Sequence, residues 1–155
     1  MTTTIETLNS KLPRRFTRKV VGRDRLGFEI LRTRTFYGPD FYNCHGGLRP
    51  ALFHFYCDAL DCNVFMVGNG IGTFDDSLHG DFIEASLGKG GKWRKVRSVK
   101  LGLIDLTCKV YYTRKSAVAA FAKLIDDRNA ENAQARKAHA DAVAAGDYAT
   151  ASEYC

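Results

Sequence analysis

The sequence predicts an α+β protein: an antiparallel sheet of about six to seven strands, a short N-terminal helix, and a long C-terminal helix packed on one face. Three observations predict it. From Phe16 to Tyr112 the apolar residues recur in short runs with a period near two, punctuated by Gly, Asp and Pro. From Thr113 to Gly146 the period becomes that of a helix. Ahead of both, Ile5, Leu8 and Leu12 stand at helical spacing and Pro13 stops them.

At 155 residues the chain fits a single domain over 1–155. Within it, 1–13 is the N-terminal helix, 14–112 the sheet and 113–155 the C-terminal helical segment. Hydrophobic residues make up 45% and charged residues 26%, the balance of a chain that packs a core. No stretch approaches the ~20 apolar residues of a membrane-spanning helix, and no basic region precedes an apolar run near Met1. A cytoplasmic protein is therefore expected. Cys44, Cys57, Cys62, Cys108 and Cys155 are odd in number and lack framework spacing, which fits reduced thiols.

The elements follow in order. Phe16 and Val20 open a first strand, residues 23–27 turn, and a second strand runs from Phe28 to Tyr37. Gly38-Pro39-Asp40 and Gly46-Gly47 mark a long loop. Ala51 to Cys57 is a strand, Asp58 to Asp61 a turn, and Cys62 to Val67 the antiparallel neighbour. Gly68-Asn69-Gly70 reads as a hairpin turn, because Asn and Gly both accept positive φ. Phe82 to Leu87 reads as another strand, Gly88 to Lys92 as a hairpin tip, and Trp93 to Val99 and Leu103 to Tyr112 as the last strands. In the final one Ile104, Leu106, Cys108 and Val110 alternate with Asp105, Thr107 and Lys109, the pattern of a sheet with one wet face. A helix then starts near Thr113 or Ser116, with Val118, Phe121, Leu124 and Ile125 as its apolar stripe. Past Asp126 the stripe thins to Ala130, Ala133, Ala138 and Ala142, so this part projects or pairs, for instance as a homodimer through the C-terminal helix. Gly146 ends it, and Asp147 caps a last short helix with Tyr148 and Tyr154.

Charge is segregated along this plan. Lys11 to Arg34 carry nine basic and two acidic residues, and Lys89 to Lys115 nine basic residues and one acid. Between them Thr35 to Gly88 set Arg49 against seven acids, within a net charge of +6. Basic blocks on strands line up on one face and attract phosphate-rich or acidic partners. The nucleic-acid-binding residues predicted are Lys89, Lys92, Trp93, Arg94, Lys95, Arg97 and Lys100. Arg14, Arg15, Arg18, Lys19, Arg32 and Arg34 extend the surface on two strands expected to pair. Trp93, Lys95 and Arg97 share a face of a regular strand, so Trp93 would serve as a stacking platform for an unpaired base. A plain solvated hairpin with Trp93 in the core is the competing account.

Other constellations are weaker. Cys44, His45, His54, Cys57 and Cys62 are zinc-ligand types, but they lack a Cys-x2-Cys pair, and His54 and Cys57 point to opposite faces of a strand. No metal and no cofactor is predicted. Asp75, Asp76, His79, Asp81 and Glu84 form either a metal-dependent acid–base site or a solvated acidic loop. Gly68 to Gly72 lacks the Lys-Ser/Thr of a phosphate loop. Nucleophilic catalysis has no anchor, since Cys44 and His45 are neighbours that diverge on a strand.

Two short likenesses complete the reading. Phe53-His-Phe-Tyr56 followed by Phe65-Met66 resembles a stretch of the plasmid and phage antirestriction proteins of the alleviation-of-restriction B type. The likeness stops on either side and assigns no residue a role. It implies only that small α+β proteins of mobile elements act by binding host machinery. Residues 144–151 resemble the inter-helix turn of tetratricopeptide repeats, without the repeat period, and are read as an ordinary helix–turn–helix ending. The predicted function is thus a non-enzymatic basic binder of nucleic acid or nucleoprotein. The alternatives are an inhibitor or adaptor of host machinery, whose basic surface meets an acidic protein site or whose acidic middle segment mimics DNA, and a small metal-dependent nuclease.

Overall fold

The structure, a computed structural model, describes residues 3–13, 20–23, 27, 29–31, 33–40, 48–71, 75–101 and 106–154, with only the backbone at 20–22, 30, 31, 75, 76 and 154. It is an α+β fold. Helix α1 (Thr4–Lys11) precedes strands β1 (Val20–Arg23), β2 (Glu29–Leu31), β3 (Thr33–Tyr37), β4 (Pro50–Cys57) and β5 (Cys62–Asn69). Helix α2 (Asp75–Ser86) separates these from β6 (Ser98–Leu101) and β7 (Leu106–Tyr111). Helix α3 (Arg114–Ala144), helix α4 (Tyr148–Ala151) and a 3₁₀ turn over Ser152–Tyr154 close the chain. Five strands form one antiparallel sheet in the order β3-β4-β5-β7-β6, and β1 and β2 form a separate two-stranded hairpin.

The hairpin β4–β5 is the spine. Its register pairs Cys57 with Cys62 and Phe55 with Val64. The four-residue connection closes with the Asp61 amide donating to Asp58 O at 3.2 Å and Asp61 at φ 49°, a value Asp tolerates. Tyr56 Oη donates to Asp61 Oδ1, tying strand to turn. Because neighbouring side chains on a strand point to opposite faces, Ala51, Phe53, Phe55 and Cys57 meet Leu78, Phe82 and Ile83 of α2. On the reverse face Leu52, Phe65 and Val67 meet Leu8 and Leu12 of α1 and Val118 and Phe121 of α3. Burial of Phe53 or Phe55 is complete and contributes about 1.5–3 kcal/mol each.

The helices are held by named contacts. A capping box starts α1: the Glu6 amide donates to Thr3 Oγ1, and the Thr3 amide to Glu6 Oε2. At its other end Arg114 donates to Asn9 Oδ1 at 2.6 Å and Leu12 O at 3.0 Å, so a residue of the second basic block caps a helix. Thr4 Oγ1 donates to Asp126 Oδ1 and pins the first turn of α1 to α3. Thr113 caps α3 as predicted, accepting from the Ser116 amide. Gly146, at φ 75°, ends the helical run, and Asp147 caps α4.

Several expectations need correction. Among the described residues the main sheet has five strands rather than the six to seven expected. The stretch read as strand Phe82–Leu87 is the second half of α2: Leu78, His79, Phe82, Ile83 and Ser86 are buried at spacings of a helix, not alternately. Gly68-Asn69-Gly70 ends β5 and leads toward this helix rather than into a hairpin. The run expected as one strand from Phe28 to Tyr37 is two short strands in two sheets, and the strand expected from Trp93 begins at Ser98. Ile5 is 46% exposed, so the buried side of α1 is Leu8 and Leu12. The distal part of α3 is docked rather than projecting. Asn132 is buried and its Nδ2 donates to Asp40 O at 2.8 Å, while Ala135 and Ala142 are buried further on.

Candidate functional site

The second basic block begins where α2 ends. Gly88 to Gly91 make a tight turn, with the Gly91 amide donating to Gly88 O at 3.1 Å and both Gly90 and Gly91 at positive φ. The Gly88 amide donates to Lys92 O, and the Arg94 amide to Ser86 O at 2.8 Å, so this turn folds the chain back on the helix end. Leu87 and Trp93 form an isolated antiparallel bridge. Beyond it, Val96 has no strand partner for either backbone group among the described residues. The phenol of Tyr112 supplies both: Oη donates to Val96 O and accepts from the Val96 amide, each at 2.8 Å. One side chain thus does what a neighbouring strand does elsewhere. Arg97 O accepts from the Val110 amide and the segment enters edge strand β6.

Along this course Lys89, Lys92, Arg94, Lys95, Arg97 and Lys100 are all exposed. Among the described residues no ion pair engages Lys89, Lys92, Arg94 or Arg97. Lys95 Nζ lies 5.1 Å from the Tyr112 ring centroid, a cation–π distance. Trp93 departs from the alternation expected of it. Trp93 and Val96 both turn toward the core although three residues apart, because the segment is pinned irregularly rather than pleated. The indole is half-buried, and its remaining surface lines a cavity of about 490 Å³ with Tyr56, Asp58, His79, Arg23 and Glu29.

Of the first basic block, Arg14, Arg15, Arg18, Lys19 and Arg32 lie outside the described residues. Arg34 is exposed on β3, the edge of the sheet opposite β6, so these two places are separated by the width of the sheet. Across strands Arg34 pairs with His54. His54 is buried, stacked on Phe65 at 4.0 Å, with Nε2 3.1 Å from Asn63 Oδ1. Burial lowers its pKa to about 4, so it stays neutral at physiological pH, and the Nε2–H tautomer donates to Asn63.

The acidic run falls on α2. His79 and Asp81 are buried, His79 edge-on to Phe55 at 4.8 Å, while Glu84 is exposed. The side chains of Asp75 and Asp76 lie outside the description. Among the described residues no three His, Cys, Asp or Glu side chains come together as a metal site. This stretch is therefore neither a solvated loop nor, in its described part, a metal cluster. The glycine run sits between a strand and a helix, as a phosphate loop does, yet that helix opens with Asp75-Asp76, whose charge repels an anion. Cys44 and His45 are outside the described residues, and His54 and Cys57 face opposite sides of the sheet. Cys57, Cys62 and Cys108 are free thiols whose pKa burial pushes up, that of Cys108 to about 11, the reverse of an activated nucleophile.

The sequence reading placed Lys109 on the wet face of the last strand but outside the predicted binding set, and β7 turns it outward beside Ser98 of β6; Lys123, exposed on α3, was not singled out. Each stands apart from the dense run, so only the strand and helix periods could have singled them out. No family model matches the chain, and it matches no curated protein and no solved structure.

Proposed function

We propose that the protein is a non-enzymatic binder of nucleic acid or nucleoprotein, acting through the basic segment from Lys89 to Lys100. One observation carries this reading: six exposed cationic side chains follow one another along a twelve-residue stretch that is held in a defined path by Tyr112 and β7. Cations fixed along a path can track phosphates, and they bind any sequence through counterion release. Trp93 supports it less directly, through the part of its indole that stays open. Nothing in the described acidic run supports phosphodiester cleavage.

The test is a titration of labelled oligonucleotide at several salt concentrations. Replacing Lys92, Arg94, Lys95 and Arg97 with Ala should weaken binding and flatten its salt dependence. Each lost phosphate contact should reduce the slope of log K against log salt by ~0.7–0.9. Absence of binding by wild-type protein at low salt would sink the nucleic-acid reading and leave an acidic protein surface as the partner to seek.

A further inference from the structure

Helix α3 covers β5 and, at Tyr111, the end of β7, but leaves Thr107 and Lys109 of β7 and the edge strand β6 open on the same side of the sheet. Val67 of β5 packs with α3, its register partner Lys109 on β7 is exposed, and Ser98 beyond it on β6 is exposed too. Along the step between helix and open strands runs a groove of about 460 Å³. Its floor is apolar, from Val67 and Leu124, and Tyr111 lies along it. Lys109 enters from the strand and Lys123 from the helix, with Asp127 the carboxylate beside them. No ion pair among the described residues engages either lysine. Two cations of separate elements thus flank a cleft that Tyr111, half-buried against the α1–α3 core, also lines.

The groove is not isolated. Thr107, which lines it, is the register partner of Lys100, the last cation of the basic segment. Lys100 of β6, Lys109 of β7 and Lys123 of α3 make a short cationic path on this side of the sheet, while Trp93 and Val96 of the basic segment pack on the α2 side. A small anion would need only one end of such a path, whereas a chain with regularly repeated charges uses all of it. The volume is that of a small-ligand site, room for a nucleotide of a single strand. A duplex keeps its bases stacked inside and has no ring to lay on Tyr111.

We infer that this groove seats one nucleotide of a single-stranded nucleic acid, its phosphates between Lys109 and Lys123 and its base against Tyr111. The inference rests on the nucleic-acid reading above and adds strandedness and three residues to it. The experiment measures anisotropy of a short labelled single strand, and of its duplex, against wild type, Lys109→Gln/Lys123→Gln, Tyr111→Leu, Tyr111→Phe and the control Lys11→Gln/Lys137→Gln. The control removes the same charge from exposed positions elsewhere. The groove pair should lose about tenfold in single-strand affinity and ~1.4 in salt slope, while the control changes little. Tyr111→Leu should lose at least about fivefold with the slope unchanged, and Tyr111→Phe, which keeps a ring, should restore it. Should wild type bind but the groove pair behave like the control, the groove is not a subsite and the basic segment acts alone. Equal losses for duplex and single strand would overturn the single-strand assignment. No binding by wild type would remove the parent reading and this one with it. The lysine pair decides the matter even where Tyr111→Leu fails to fold, since both lysines are exposed.

Discussion

Strands β4 and β5 carry buried apolar side chains along both faces, whereas β6 carries them on one, and β7 on one apart from Tyr111 at its end, which packs on the α3 side. In β4 every residue from Pro50 to Phe55 is buried, because α2 lies over one side and α1 with α3 over the other. In β6 the pattern strictly alternates, with Val99 and Leu101 buried and Ser98 and Lys100 exposed. The first pair of strands is scaffold and has no position to spare. The second keeps a free face, and there the chain displays Lys100, Thr107 and Lys109. Coverage, more than composition, decides which part of this sheet can meet a partner.

The largest effect that tests the contrast is a core truncation. Phe55 is fully buried and touches His79 and Phe82 edge-on. Phe55→Ala should destabilise by ~3–5 kcal/mol in urea unfolding, against ~1–3 kcal/mol for Val99→Ala on the half-covered edge. Equal losses would mean that the edge is as tightly enclosed as the centre.

A second measurement reads the covered side through pH. His54 titrates near its ordinary 6.5 when unfolded but at about 4 in the folded protein, chiefly because burial disfavours its charge. Its folded pKa is depressed, so below about 6.5 the unfolded chain takes up the proton first. Stability is then full above that value, declines as pH falls toward 4, and flattens beneath it. Between pH 7 and 4.5 the loss from this group should be about 2–3 kcal/mol. His54→Gln should lack that component. An identical acid profile for both proteins would show that His54 is charged or exposed in the native state.

How far this contrast was readable beforehand depends on the period of each element. The alternation of Leu106 to Val110 gave the one-sided strand, and the turn at Asp58 to Asp61 gave the β4–β5 hairpin. Thr113, Gly146 and Asp147 announced the ends of α3 and α4 through capping chemistry. Helix α2 was obscured because Gly80 and a run of aspartates imitate a loop. Its buried stripe, Leu78, His79, Phe82, Ile83 and Ser86, includes polar residues that weaken the hydrophobic signal. The double coverage of β4 was hidden for the same reason, since its second cover was not seen. The cationic run was legible as composition, but its path was not. Tyr112 bonds Val96 across sixteen positions, and no local pattern reports that.

That bond gives the third test. Tyr112→Phe removes the hydroxyl that serves both backbone groups of Val96. Val96 is half-buried, so water replaces part of the loss and the cost should be ~1–2 kcal/mol. Hydrogen exchange at the Val96 amide should accelerate much more than at Val110, whose amide donates to Arg97 O. If both amides respond alike, the basic segment belongs to the sheet's cooperative unit and is not separately pinned.

The smallest effect belongs to the open face. Lys109 and Lys123 are exposed and have no ion-pair partner among the described residues, so neither holds the fold together. Two small terms oppose each other when Lys109 becomes Ala. Alanine is the poorer strand residue, which costs a few tenths of a kcal/mol, while one fewer cation relieves repulsion within a basic block. For Lys123→Ala the helix gains slightly in propensity. Each change should lie within about 0.5 kcal/mol in urea unfolding, and the pair should be additive because strand and helix positions act independently. Repulsion is screened by salt, so the balance for Lys109→Ala should tip toward stabilisation at low ionic strength and toward slight destabilisation at high. A loss above about 1 kcal/mol, or one insensitive to salt, would place the lysine stem in packing and make this half of the sheet scaffold as well.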